Sequence, residues 1–222
     1  MRKGDFKLTF ESFEGWMKIS QEVLDQVADA PAAAWPRPRK LAVHEAIALR
    51  MVADWEVLVE VLMVDCLNRD SSTYAESMGL KLHKHLSWEE CQAILHGLGY
   101  FSFSNMDDLI GKARRTLSSE WNPFKAIPQR SREKIGEFIT IRNYLAHYSA
   151  LARRQVDRIY KRTYKMKQFR SRAPSSWLGR RPQGRGVTWT TLLHSMMLQL
   201  RCELASDSRI KARGNSGGHR PR

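Results

Sequence analysis

Residues 40–68 read KLAVHEAIALRMVADWEVLVEVLMVDCLN, and the periodicity of this run decides the fold. Ala46, Leu49, Val52, Ala53, Glu56, Val59 and Met63 recur at three- and four-residue intervals, the spacing that stacks side chains on one face of an α-helix. Ile47, Met51, Trp55, Leu58, Val61, Leu62 and Leu67 fill much of the remaining circumference. A helix that is apolar nearly all round has to be covered on several sides. It belongs at the centre of a bundle or shares a face with a second subunit. Asp54, Glu56 and Glu60 interrupt the apolar surface. They read as solvent-facing or arginine-paired groups or, more sharply, as an acidic element near an active arginine.

Helical signals continue on both sides. Upstream, Phe13, Trp16, Met17, Ile19, Val23, Leu24 and Val27 predict an amphipathic helix over 11–29, ended by Pro31. The stretch 32–39, with Pro36 and Pro38, reads as a linker. Downstream, a short helix is expected over 72–79. Ser87 with Glu90 forms a capping box that opens a helix from Trp88 towards Leu98, and Ser104–Asp107 resembles a second box opening a helix towards Leu117. Pro123 and Pro128 break the chain again. Helices are then predicted over 129–147, with Ile135, Phe138, Ile139, Ile141 or Arg142, and Leu145 on the apolar stripe, and over 150–166. Residues 170–187, rich in Arg, Pro, Gly and Ser, read as a loop. Thr188 caps a last helix over 189–205, and the Arg/Gly/Ser-rich tail from Ser206 is expected to be disordered. No stretch alternates with the period of a strand. The expectation is an all-α, up-and-down helical bundle in four segments: 1–39, a bundle over 40–168, a basic loop and helix over 169–205, and a tail over 206–222.

Lys and Arg number 37 against 23 Asp and Glu, for a net charge of +14 over 222 residues. That excess favours a polyanionic partner, nucleic acid first and an anionic membrane surface second. Cys66, Cys91 and Cys202 are widely spaced and suggest neither a zinc ribbon nor a disulfide framework. The N-terminal residues have no signal-peptide pattern, and no apolar run reaches the roughly 18 residues of a membrane span. The expected setting is the cytoplasm, without a membrane partner. His83, His85, Cys91 and His96 match no zinc spacing, and no glycine-rich phosphate loop or Ser/His/Asp motif is present. No metal and no cofactor are expected.

The candidate chemistry lies in R-N-Y-L-A-H, residues 142–147. A guanidinium holds a phosphate through two parallel hydrogen bonds, and an imidazole moves protons near neutral pH. On a helix, five residues place Arg142 and His147 about 140° apart, so they do not share a face, whereas Asn143 and His147, four apart, do. Arg142 and His147 therefore meet one phosphate only where the helix ends or kinks, or where a symmetry mate supplies the second half. The competing reading pairs Arg142 with a core carboxylate and leaves His147 as a favourable cation at a helix C-terminus.

The hexapeptide resembles the R-x4-H signature of the HEPN domain, where the residue after the arginine is commonly Asn, Asp or His; Asn143 matches. The run M-V-A-D-W-E-V-L-V-E-V-L, with Trp55-Glu56, looks like the earlier long helix of HEPN groups linked to bacterial defence and RNA processing. The resemblance covers roughly residues 40–165. It implies a helical bundle, symmetric dimerisation around the motif with a composite active site, and metal-independent endoribonuclease activity. Carried over, Arg142 neutralises the scissile phosphate, His147 acts on the 2′-hydroxyl or the leaving 5′-oxygen, and Asn143 orients His147 or the phosphate. Glu56 and Tyr148 are supporting candidates. HEPN toxins paired with a nucleotidyltransferase antitoxin often carry a tyrosine two positions after the histidine; here that position is Ser149 and the tyrosine is Tyr148, which weakens the case for control by adenylylation.

Basic residues crowd the segment after the motif. Arg153, Arg154, Arg158, Lys161 and Arg162 are expected to bind nucleic acid, with Lys165, Lys167, Arg170, Arg172, Arg180, Arg181 and Arg185 beyond them. Tyr160, Tyr164, Phe169 and Trp177 are interleaved and suited to base stacking, or else pack inward. The leading expectation is an RNA-cleaving toxin or anti-phage effector that forms a homodimer and works with an antitoxin or defence-system protein. The alternative is a non-catalytic helical module that binds nucleic acid or a partner protein.

Overall fold

The computed structural model describes residues 6–31, 33–97, 103–164, 173–181 and 186–205. Within them the chain is all-α, as expected. In order, the helices are α1 (Phe6–Asp29), α2 (Arg37–Arg69), α3 (Ser72–Met78), α4 (Trp88–His96), α5 (Met106–Thr116), α6 (Gln129–His147), α7 (Ala150–Tyr164), α8 (Pro174–Leu178) and α9 (Trp189–Ala205), with a 3-10 turn at Pro123–Ala126. The chain divides into two compact units that cut across the four segments expected from sequence. One comprises Met1–Glu14, Trp55–Gln129 and Gln199–Arg222; the other comprises Gly15–Asp54 and Arg130–Leu198. Among the described residues no helix is long and apolar enough to cross a membrane.

Local chemistry sets the helix ends. At α4 the predicted capping box forms: Ser87 Oγ accepts the Glu90 N–H at 3.1 Å and Glu90 Oε2 accepts the Ser87 N–H at 2.6 Å. That reciprocal bond holds the Glu90 carboxyl below its usual range. At α5 the cap lies one residue later than expected. Asn105 accepts the Asp108 N–H at 2.9 Å, and Asp108 reaches back to the Ser104 N–H at 2.9 Å. Gly79 ends α3 at φ 65 in a Schellman closure, its N–H bonding Glu76 O and the Leu80 N–H bonding Ala75 O. α2 starts at Arg37, because Pro38 is tolerated in a first turn where its missing N–H has no helical partner.

The first unit buries Trp55, Leu58, Leu62, Met63 and Leu67 of α2 together with Leu109, Ile110 and Phe124. It also buries an ion pair, Arg69 with Asp65 at 3.5 Å. The Arg69 guanidinium lies 4.5 Å from the Phe6 ring and 5.2 Å from the Trp121 ring. Aromatic faces thus take the place of lost water around a buried cation.

In the second unit the core is aromatic. Trp177, 2% exposed, stacks on Trp189 at 4.6 Å between ring centroids, with Tyr160 at 5.6 Å and Phe138 at 5.8 Å. The stretch predicted as a loop over 170–187 therefore contains a short helix, α8, that inserts into this core. Glu45 accepts the Ser175 N–H at 2.6 Å, and the Thr190 hydroxyl donates to the Leu178 carbonyl at 3.1 Å. Thr190 Oγ1 has its one proton committed there, so His44 Nδ1, 3.1 Å away, is the donor to it. His194 Nε2 donates to the Met17 carbonyl at 2.8 Å. Burial pushes both imidazoles below their ordinary value.

Candidate functional site

Helix α6 supplies the motif. Ile135, Glu137, Phe138, Ile139, Ile141 and Leu145 are buried and occupy one arc of its surface. At about 100° per residue, Arg142 projects inside that arc, between the directions of Phe138 and Ile135, whereas Asn143 and His147 project outside it. This placement accounts for the half-burial of Arg142, which draws its guanidinium below the ordinary arginine range. The group stays protonated at neutral pH all the same. Arg142 Nη1 donates to Asn143 Oδ1 at 2.9 Å. Asn143 thus holds the guanidinium that the resemblance assigns to the phosphate.

The helix ends at His147, which is exposed. Tyr148 follows at φ 47, the left-handed region, which costs a non-glycine residue about 1–2 kcal/mol. Its N–H still bonds the Tyr144 carbonyl at 2.7 Å. Ser149 then caps α7, its Oγ accepting the Ala152 N–H at 3.2 Å and its carbonyl accepting the Arg153 N–H at 3.0 Å. Two residues therefore turn one helix into the next, as the spacing of the motif required if the helix were to stop there. Residues 146–151 are exposed without interruption, with Tyr148 at 67% and Leu151 at 62%. The Tyr144 ring, half-buried, meets the Tyr148 ring edge-on at 5.5 Å between centroids.

Helix α7 is sharply two-faced. Ala152, Val156, Ile159 and Tyr160 are buried, and Arg153, Arg154, Arg158, Lys161 and Arg162 are exposed. At about 100° per residue the five cations span an arc of about 180° opposite the buried set. Arg162 is also fastened to Glu137, a buried carboxylate on α6 that Lys134 contacts at 3.1 Å. Sequence reasoning missed Glu137. Its signal was a carboxylate inside an apolar arc with Lys134 three residues before it, a spacing that brings the two side chains together.

Glu56 is half-buried in the first unit, whereas Arg142, Asn143, His147 and Tyr148 belong to the second. Tyr160 and Trp177 are core residues and are not available to stack on bases. Arg180 is half-buried and Arg181 exposed. Lys165, Lys167, Phe169, Arg170, Arg172, Arg185 and the tail from 206 lie outside the described residues, as does the Tyr164 side chain. Cys91 is fully buried, which pushes its thiol up to about 12, and His96 Nε2 is 3.0 Å from Glu60. Among the described residues no three His, Cys, Asp or Glu side chains gather where they could hold a metal ion.

No family model matches this chain, and neither a curated protein nor a solved structure matches it.

Proposed function

We propose that the chain is a metal-independent endoribonuclease of HEPN type, acting as a toxin or defence effector. The observation that carries this reading is the corner between α6 and α7: an exposed histidine on the last residue of a helix, an arginine held by the asparagine beside it about one turn earlier, and a basic helix that begins after two intervening residues. Arg142 binds the scissile phosphate and offsets the charge that builds on the phosphorane. His147 takes the proton from the 2′-hydroxyl or gives one to the leaving 5′-oxygen. Asn143 fixes the guanidinium. The exposed cations of α7 hold flanking phosphates. The products are a 2′,3′-cyclic phosphate or 3′-phosphate end and a 5′-hydroxyl end, and DNA, which lacks the nucleophile, is not cut. Because Arg142 and His147 project about 140° apart, a second copy completes the site across a two-fold axis near the corner. An antitoxin or defence-system protein would act by covering this corner.

The half-burial of Arg142 favours a second reading, a non-catalytic module that binds RNA or a partner protein and in which Arg142 serves the fold. Purified protein incubated with single-stranded and structured RNA in EDTA separates the two. The expected result is cleavage that persists in EDTA and falls by about 100-fold or more in both His147→Ala and Arg142→Ala. Binding without cleavage supports the module. Cleavage that requires Mg²⁺, or that survives His147→Ala, overturns the proposed mechanism.

A further inference from the structure

We infer that Tyr148 is a stacking platform for an unpaired nucleobase, so that the proposed site takes single-stranded rather than duplex RNA; this rests on the reading of the corner as an RNA site. The ring is 67% exposed and directly follows His147. Tyr144 meets it at 5.5 Å between ring centroids and 66° between planes, and most of the residue remains open to solvent. The backbone beneath it is at φ 47, where glycine would be unstrained, yet a large aromatic occupies the position and buries little of itself. The fold gains little from that ring, and a bound ligand would gain a flat apolar surface.

Charge identifies the ligand. Ser149 caps α7 immediately afterwards, and the first three turns of α7 present Arg153, Arg154 and Arg158 to solvent, with Lys161 on the same arc. Asp157, half-buried, is the one acidic residue on α7. An exposed ring two residues ahead of a helix that carries a row of cations matches a nucleotide, which offers a base for the ring and phosphates for the cations. A base inside a duplex has both faces covered by its neighbours and cannot lie on a side chain. An unpaired base therefore pays a smaller unstacking cost to reach the ring.

The test uses the full chain and a short RNA carrying one 2-aminopurine, single-stranded or locked in a hairpin stem, with Tyr148→Gly, Tyr148→Phe and Tyr148→Trp. Glycine suits φ 47, so the Tyr148→Gly corner keeps its path and its loss reports on the ring alone. Wild type is expected to quench the 2-aminopurine in the single strand and not in the stem. Tyr148→Gly should lose the quenching and bind the single strand about tenfold more weakly or worse, and the Phe and Trp variants should restore both. Unchanged quenching and affinity in Tyr148→Gly overturn the inference, as does equal preference for the stem or no binding of RNA by wild type. A changed oligomeric mass in Tyr148→Gly without a change in quenching also overturns it and assigns the ring to a contact between copies. Cleavage is scored on the same RNAs. Tyr148-dependent quenching without cleavage sinks the nuclease reading alone, and cleavage without Tyr148-dependent quenching sinks the platform alone.

Discussion

Trp177→Ala should be among the most damaging single substitutions in the second unit. The side chain is 2% exposed and touches three other rings, with the Trp189 indole stacked on it at 4.6 Å and 14° between planes. Truncating a buried tryptophan leaves a cavity and forfeits the transfer energy of the ring, together about 3–5 kcal/mol. The stacked and tilted ring contacts place this site near the upper end, since such pairs contribute about 0.5–1.5 kcal/mol beyond area burial. The loss also unseats α8, whose other buried residues are Pro174 and Leu178, and so loosens the Ser175–Glu45 and Thr190–Leu178 bonds. Against a total stability of about 5–15 kcal/mol this is a third or more of the whole. The thermal midpoint should fall on the order of 10 °C. Urea titrations of wild type, Trp177→Ala, Trp189→Ala and the double variant measure the cost and the coupling between the two indoles. That coupling is expected at about 0.5–1.5 kcal/mol. Near-UV circular dichroism should lose the signal of the stacked pair in either single variant. A cost below about 1 kcal/mol with an unchanged near-UV spectrum would refute the placement of residues 174–178 in the core.

Acid should weaken the second unit before the carboxylates titrate. His44 and His194 are held below their ordinary 6.5 by burial, so between the two values the unfolded chain binds protons that the folded chain does not. Their contribution is complete above about 6.5 and is lost as pH falls below it. The thermal midpoint should therefore drop from pH 7.5 to 5.5, and His44→Asn with His194→Gln, which keep the donor atoms, should flatten that slope. Replacing Arg153, Arg154 and Arg158 by Gln should weaken RNA binding and reduce the log–log salt slope by about 2, at roughly 0.7 per phosphate contact on a single strand. An unchanged slope places the RNA elsewhere on the chain.

Much of the fold was legible because it rests on period and punctuation. The 40–68 run, the Ser87–Glu90 box, the bounds of 129–147 and the start of 189–205 follow from apolar spacing and caps, and each is found within a few residues of its expected place. The segment around Trp177 was not legible for a physical reason. Five helical residues are too few to show a 3.6-residue period, and their surroundings are rich in Arg, Gly and Pro. Tertiary contact with Trp189, Tyr160 and Phe138 gives α8 its place, and no local propensity reports it. Glu137 escaped for the opposite reason: local spacing showed its lysine, but its second partner, Arg162, is 25 residues away.

The motif itself reads differently once the helix phases are fixed by burial. Spacing alone leaves Arg142 and His147 as an ill-matched pair on opposite sides of a cylinder. Burial adds that the arginine is the one on the apolar arc, among Phe138, Ile139 and Leu145, where a guanidinium loses solvation and brings no packing advantage over an aliphatic residue. A cation kept there is expensive unless an anion, or a row of acceptors, meets it. Asn143 supplies one such acceptor at 2.9 Å. His147 escapes the same constraint because the helix stops beneath it. With Tyr148 turned left-handed, α6 ends at His147, which projects outside the buried arc and is exposed. The left-handed backbone of Tyr148 and the half-buried Arg142 thus lie close together in sequence at the end of α6.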